Sequence, residues 1–584
     1  MKRTFNCFAT AMATFSLLVI VPFSFAQSTS PDAAQLLQNL SKTTIISGFG
    51  NSPTILQDLQ VRKRVAPPTS GVAPTINIQG FTVSGLAERP KFDVRKLLAS
   101  HIGNDRTFDQ IEMAAEALQI ALRQEGFFLA QVDIPQQAIK SGVIELRVIQ
   151  GYLDEVEIKP LPVGVRADKT FIAKLLGSHL QQGQVLTVAS LERTLYLISD
   201  LSGVRVESVI EPGSKPGTAR LVVSITPTAQ TDQSVDFDNY GSRFTGEYRV
   251  NASMSFNAPY LRGDQLKLTG MTTTNGGTKF ARVAYQTPVG ASGLKVGVAL
   301  SSLSYKLGTS TFTPLVASGD GGSATLFALY PAIRSRNLNI FLQGNLDRRG
   351  GEDKQEAVGV DNKSHATVTS VSLVGDARDS LGGGGISNFN TGIVSGKLSL
   401  DTPSLLAADQ AATGRQSNGY YSKFTYGLAR QQHLWVDATQ PSNRMVLFAS
   451  IQGQMASKNL SSGEKMSLGG PTAVRAYAGG EGVGDNARVF TWELRKSVLG
   501  EHVNGDLVFT VFGDYGYSLV NKTALSTDTT RSIYMAGHGV GLNWAHTNGF
   551  LLRLSIAQRT GAFKPTGDTE DRLPRIYFSL SKPL

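Results

Sequence analysis

From about residue 230 to the C-terminus, apolar and polar residues alternate with a period of two. Tyr248, Val250, Ala252, Met254 and Phe256 fall on one parity, while Arg249, Asn251, Ser253 and Ser255 fall on the other. Leu338, Ile340, Leu342, Gly344 and Leu346 repeat the pattern, and Leu552, Leu554 and Ile556 alternate with Arg553 and Ser555. Alternation of this kind predicts β-strands with one wet and one greasy face. Asn548-Gly549 supplies a tight-turn signal before the Leu552 strand. A soluble sandwich would bury the apolar parity; a membrane barrel turns it outward to lipid around a polar lumen. The polar parity is Ser, Thr, Asn, Gln and scattered charge, which favours the barrel. At roughly 22 residues per strand and connection, the region holds about 16 antiparallel strands, an even number as such barrels require.

Upstream, the period changes to that of an α+β chain, and the pattern occurs twice. Lys96-Leu97-Leu98-Ala99-Ser100-His101 returns as Lys174-Leu175-Leu176-Gly177-Ser178-His179, and Gly126 is echoed by Gly203. Thr107 and Gln110 form a capping-box pattern ahead of a helix whose buried face is Ile111, Ala114, Leu118 and Leu122. Leu191, Leu195 and Ile198 give the second copy its equivalent face. Each copy reads strand, helix, helix, strand, strand. "INIQGFTVSG" and "VIELRVIQG" flank the first, "LDEVEIK" and "ARLVVSITPT" the second. No acid recurs beside the repeated Ser-His pair, so it is read as structural.

The N-terminus changes the picture of where the chain works. Lys2 and Arg3, an apolar run from Phe8 to Val21, and Ser24-Phe25-Ala26 make a secretory signal over residues 1–26. Cys7 lies inside it and is the only cysteine, so the expected mature chain has no thiol to mispair during export. Residues 27–74 read as a short helix with Leu36, Leu37 and Leu40 on one stripe, started by Ser30-Pro31-Asp32, then a linker containing "VRKRVAPPTSGVAPT". Beyond the leader no run reaches the roughly 18 apolar residues of a membrane helix. The formal charge is +10. With no arginine-aromatic cluster, that balance suits lipid phosphates or an ion-lined lumen rather than nucleic acid.

Four stretches, in order, carry a resemblance. They are "GFFLAQVDIPQQAIKSGVIELRVIQGYLDEVEI" (Gly126 to Ile158), "DNYGSRFTGEYR" (Asp238 to Arg249), "VRAY" (Val474 to Tyr477) and "FGDYG" (Phe512 to Gly516). Together they resemble the outer-membrane transporters of two-partner (type V) secretion, the hemolysin and adhesin secretion/activation family within the BamA-like superfamily. The resemblance implies a membrane β-barrel preceded by two periplasmic polypeptide-transport-associated (POTRA) domains, at residues 75–151 and 152–228, with the barrel from 229 to 584. It also implies that the first motif residues, Asp238, Asn239, Gly241, Thr245 and Gly246, belong to the first barrel strand. "VRAY" then belongs to the sixth extracellular loop, with Ala476 where the family usually has glycine; that exchange is expected to set the loop tip slightly differently. The chain ends in Leu584 rather than an aromatic residue, leaving Tyr577 and Phe578 as the assembly signal.

Parity assigns the loop its partners. Phe512, Asp514 and Gly516 share one strand face, opposite Val511, Gly513 and Tyr515, and a carboxylate facing lipid is disfavoured, so Asp514 points inward. Phe490, Trp492 and Leu494 take the lipid parity, which turns Glu493 inward as well. The resemblance implies an Arg475–Asp514 contact; parity adds Glu493. A guanidinium is suited to such a site because it binds a carboxylate through two fixed hydrogen bonds.

The function expected is a conduit, not an enzyme. An unfolded exported partner, such as a large β-helical adhesin or cytolysin, enters from the periplasm and emerges at the surface. Its expected capture point is an exposed sheet edge formed by Gly142, Val143, Ile144, Glu145, Leu146, Arg147 and Val148, or the neighbouring helix. No cofactor or metal is expected: the seven histidines lack ligand spacing, and no GxxxxGK[ST] or GxSxG occurs. Outer-membrane lipid and lipopolysaccharide are the remaining expected partners. A barrel-assembly insertase and a passive porin are the alternatives.

Overall fold

In a computed structural model of the chain, the described residues are 31–41, 54–56, 75–139, 141–310, 312–498, 504–565 and 572–584. The leader and most of the Pro-rich linker lie outside them.

The first α/β module packs helix Phe108–Gln124 on a three-stranded sheet, with Ile111, Leu118 and Leu122 against Ile144, Leu146 and Val148. Gln110 Oε1 accepts from the Thr107 N–H at 3.2 Å, securing the helix start. The stretch "INIQGFTVSG" is two strands, not one. Thr75–Ile78 pairs with Gly103–Thr107 in a small separate sheet, and Gly80–Ser84 joins the main one.

The expected capture edge needs correction here. Val143–Ile149 is the middle strand, flanked by Gly80–Ser84 in parallel and Gln131–Asp133 antiparallel. Its partner Gln131–Asp133 reaches only Arg147 to Ile149, and beyond it the Gln137 side chain grips Glu145. Gln137 Oε1 accepts from Glu145 N–H at 2.7 Å, while its Nε2 donates to Glu145 C=O at 2.9 Å. The motif alone could not reveal this, because strand order is set by contacts distant in the chain.

In the second module, helices Lys169–His179 and Val188–Ser199 bury Ile172, Leu176, Leu191, Leu195 and Ile198 against Val206, Leu221 and Val223. Its sheet runs Thr54–Leu56, Val204–Pro212, Thr218–Pro227, Tyr152–Ile158, so a piece of the N-terminal linker occupies the outer edge in parallel.

The remainder is a closed antiparallel barrel of sixteen consecutive strands. It closes where Ser234–Asp238 of the first strand, Thr231–Asp238, meets Ser579–Pro583 of the last, Arg575–Pro583. The wall is inverted relative to a soluble protein. Leu326, Val371, Ile393, Val511 and Val540 are each more than half exposed on the outside. Arg282, Lys423, Glu493 and Asp514 are buried toward the lumen. Only a lipid surround makes that arrangement favourable.

Module two is fixed beneath the barrel. Arg334, next to a periplasmic turn, donates to both Asp200 carboxylate oxygens at 2.9 and 2.7 Å, and its guanidinium lies 4.4 Å from the Tyr196 ring. The repeated histidine finds a use here too, since His179 Nε2 lies 3.0 Å from the Ala291 carbonyl of another turn.

Inside the lumen sits helix Ala33–Ser41. Asp32 caps it, accepting from Gln35 N–H at 2.8 Å; Ser30 of the expected start signal lies outside the described residues. The barrel wall supplies a second cap: Asp353 Oδ1 accepts from Ala33 N–H at 2.8 Å and from Tyr305 Oη at 2.5 Å. Leu37 is buried against Met271, Phe280 and Leu303 of the wall, with Leu36 and Leu40 packed beside it.

Candidate functional site: the sixth-loop clasp

The sixth loop from the N-terminal side, residues 457–485, joins strands Arg444–Ala456 and Asn486–Val498 at the barrel end away from the modules. It does not project outward. Its glycines let the chain fold back on itself: Leu468 and Gly469 N–H groups both reach Glu481 C=O at 3.0 Å, and Val474 N–H bonds Leu468 C=O at 2.9 Å. The tip thus becomes a compact knot that enters the lumen with Val474 and Tyr477 fully buried.

Arg475 emerges from this knot opposite strand Gly505–Leu519. Its Nε and Nη2 donate to Asp514 at 2.9 and 2.8 Å, and its own backbone N–H adds a third bond to the same carboxylate at 3.0 Å. Nη1 donates to Glu493 Oε1 at 2.7 Å. The guanidinium carbon lies 3.4 Å from the centre of the Phe512 ring, so cation–π attraction adds to the ion pairs. Asp514 and Phe512 are 0% exposed, which excludes the water that would otherwise weaken the pairing.

Both acids have further partners. Thr491 Oγ1 donates to Asp514 Oδ1 at 3.0 Å, and Arg495 Nε donates to Glu493 Oε2 at 2.7 Å. Neighbouring side chains fit the loop sterically. A Cβ on Gly516 would approach Val474 Cγ2 to 3.0 Å. The Ala476 exchange has a counterpart across the interface: Ala476 has no left-handed backbone, and its methyl fills space left by Gly537, where an added Cβ would stand 2.5 Å away. Tyr477 Oη donates to Phe563 C=O at 3.1 Å, and Tyr577 Oη donates to Tyr477 C=O at 2.8 Å. Tyr577 is therefore a loop contact from the last strand, while Phe578 packs outside in tilted contacts with Phe237 and Tyr248.

A second ionic anchor lies at the base of the loop, and the sequence reading did not find it. Glu464 is bound by Arg349 Nη2 at 2.6 Å and Lys423 Nζ at 2.9 Å, all three nearly enclosed. Strand parity would have turned Arg349 and Lys423 inward, but nothing local ties them to a glutamate in a distant loop. The lumen helix Ala33–Ser41 touches the same place, with Ser462 donating to Asp32 and Ala34 packed on Gly463. Beside the helix a cavity of about 1050 Å³ remains, lined by Leu37, Phe312 and Leu400 as well as Asp32, Arg349, Asp353, Glu464 and Lys465.

The first-strand motif needs a correction of place. Only Asp238 ends the first strand; Asn239 to Tyr248 form the hairpin loop, and Arg249 opens strand Arg249–Asn257. Asp238 accepts from Arg249 at 2.8 and 3.1 Å and from Asn251 at 2.9 Å. Asn239 extends the closing seam, exchanging bonds with Phe578 N–H and Ile576 C=O at 2.9 Å each. Gly241 N–H bonds Glu247 C=O at 2.9 Å, Thr245 C=O receives Thr273 Oγ1 at 3.0 Å, and Gly246 takes φ +116°, a conformation that excludes a side chain. The motif lies far in sequence from the clasp and shares no contact with Arg475.

A lipid-facing sixteen-stranded barrel, carrying α/β modules at one end and an inward-folded, ion-clasped loop, defines a protein-transport barrel of the outer membrane. The chain belongs to the haemolysin secretion/activation protein family, ShlB/FhaC/HecB, whose pattern matches residues 217–544. Residues 76–151 match the ShlB-type POTRA domain. Among relatives, the heme/hemopexin transporter protein HuxB of Haemophilus influenzae is 24% identical over 84% of this chain and 83% of its own. Outer membrane transporter CdiB of Dickeya dadantii is 22% identical over 74% and 75%. The solved CdiB structure from Escherichia coli shares the fold with a TM-score of 0.70, at 18% identity, over 89% of this chain and 93% of that one. The CdiB structure from Acinetobacter baumannii has a TM-score of 0.61 at 15% identity, over 99% and 97%. Family members are transporters that work with secreted partner proteins, and this chain is an outer-membrane transporter of two-partner secretion with its POTRA region in the periplasm.

Proposed function

We propose that this transporter is a gated conduit whose loop clasp and plug helix hold the pore in a resting state. The observation that carries the reading is the nature of the obstruction. Two separate elements fill the lumen, each seated on a small apolar cluster of the wall and fixed in place by a few discrete polar contacts. Arg475 engages Asp514 and Glu493, while the helix rests on Asp353 and Ser462. Such contacts bias a position without making it irreversible.

In this reading residues 1–26 are a leader removed on export, and the two modules, residues 75–151 and 152–228, both act as POTRA domains. The first receives an unfolded partner. Since Val143–Ile149 is internal to its sheet, the capture surface is the short open stretch at Val143 to Leu146 together with helix Phe108–Gln124, on which Met113 and Ile120 are exposed. A partner strand there would have to displace the Gln137 side chain from Glu145. The partner then crosses the lumen and folds outside. Folding releases on the order of 5 to 15 kcal/mol, enough to give direction without a nucleotide.

The test is co-expression with candidate large exported β-helical proteins, any encoded beside this gene first among them, followed by assay of the medium. Partner in the medium only when the transporter is present supports the reading. Unchanged secretion without it, or loss of many other outer-membrane barrels on deletion, sinks it in favour of an insertase.

A further inference from the structure

The outside of the barrel carries a feature that gating leaves unused. Strands Leu338–Gln355, Val360–Asp379, Gly385–Leu400 and Gly419–Val436 lie side by side. Their register aligns outward-facing residues in rows. Gly344, Val371, Ile393 and Phe424 form one row, and Leu346, Thr369, Ser395 and Ser422 the next toward the cell surface. The following row is Arg348, Thr367, Lys397 and Tyr420. Along strand Leu338–Gln355, the outward residues from Leu338 to Leu346 are apolar or glycine, a nine-residue span matching the roughly 9 to 11 residues that cross the hydrocarbon. Arg348 is the next outward position. It stands where acyl chains give way to headgroups.

Arg348 and Lys397 have no carboxylate partner among the described residues. Arg348 Nη1 instead donates to Thr367 Oγ1 at 3.1 Å, and Lys397 Nζ lies 5.4 Å from the ring centre of Tyr420, itself 74% exposed. The acids two rows further out are already taken: Glu352 binds Lys354 and Lys363, and Asp401 binds His365. Two strand spacings place the two cations about 10 Å apart, with a hydroxyl between them. That is a spacing at which both long side chains converge on one phosphate.

We propose that Arg348, Thr367, Lys397 and Tyr420 form a binding site for the phosphorylated headgroup of an outer-leaflet glycolipid. The acyl chains would run down over Val371, Ile393 and Phe424, which are 53%, 65% and 43% exposed. The choice of a lipid rather than a free anion follows from that arrangement, because the apolar row of Val371, Ile393 and Phe424 begins one Ser/Thr-rich row below the cations. The site does not depend on the loop clasp.

The experiment uses the full chain purified in detergent and native mass spectrometry with three probes: bis-phosphorylated lipid A, dephosphorylated lipid A and inorganic phosphate. The intact protein retains lipid A, and R348Q/K397Q loses at least fivefold of that retention. R348K/K397R, which keeps the charge, holds most of it. K96Q/K174Q removes the same charge from the modules and changes nothing. Heat-modifiable migration shows that each barrel is folded. Equal retention by R348Q/K397Q, equal binding of the dephosphorylated lipid, or displacement of lipid A by millimolar phosphate would each overturn the assignment.

Discussion

Replacing Arg475 by alanine tests the clasp most directly. The change deletes three side-chain hydrogen bonds, two to Asp514 and one to Glu493, together with the contact on Phe512. It also leaves a fully buried carboxylate without its cation. Breaking a buried pair by removing one member costs about 3–5 kcal/mol. Here Asp514 keeps Thr491 and the residue 475 backbone N–H, and Glu493 keeps Arg495, so the lower end applies. A loss of about 3 kcal/mol shifts the loop equilibrium by roughly a hundredfold, since 1.4 kcal/mol is a factor of ten. The barrel itself should still close, because its register does not involve Arg475. A single cysteine at Ala473, 8% exposed in the knot, reports on the loop because the native chain has only Cys7. In R475A this thiol should react with an external maleimide at least tenfold faster, while secretion falls at least tenfold at equal barrel abundance. R475K should secrete poorly as well, because an ammonium cannot serve both acids in a fixed geometry. If R475A labels and secretes like the parent, the clasp has no part in the mechanism.

Three further outcomes are expected. I393R places a charge on a surface that is 65% exposed, where a soluble protein would tolerate it; in lipid it should cost about 2–4 kcal/mol and lower the urea midpoint of the barrel in vesicles. G537A should overpack against the Ala476 methyl, costing about 1–3 kcal/mol and secretion, and A476G should restore both in the same chain. E464Q removes the anion shared by Arg349 and Lys423, leaving Arg349 with Asp347 at 3.6 Å and Lys423 with the residue 464 carbonyl, a loss toward the lower end of about 3–5 kcal/mol at the base of the loop; it should multiply open-channel events in planar bilayers, and an unchanged record would detach this anchor from the lumen helix.

Much of the site was legible because a strand has only two faces. Once Val511 and Tyr515 are assigned to lipid, Asp514 has nowhere to point but the lumen, and the same holds for Glu493 between Trp492 and Leu494. Period-two logic needs no knowledge of neighbours. It failed where the answer depended on which segments lie side by side. The strand Val143–Ile149 is expected at an exposed edge yet sits mid-sheet, and "DNYGSRFTGEYR", which the family resemblance implies to be the first barrel strand, mostly turns the first hairpin.

The sequence by itself determined the class of wall, the two α/β modules and the inward acids, because alternation, capping and helical periodicity are local and leave a local trace. Only the tertiary structure decided who meets whom. Glu464 with Arg349 and Lys423, Ala476 with Gly537, Tyr577 with Tyr477, and the plug helix with Asp353 join positions separated by up to hundreds of residues. Such pairings depend on barrel register and on how a glycine-rich loop folds back, and neither leaves a mark in any short stretch of chain.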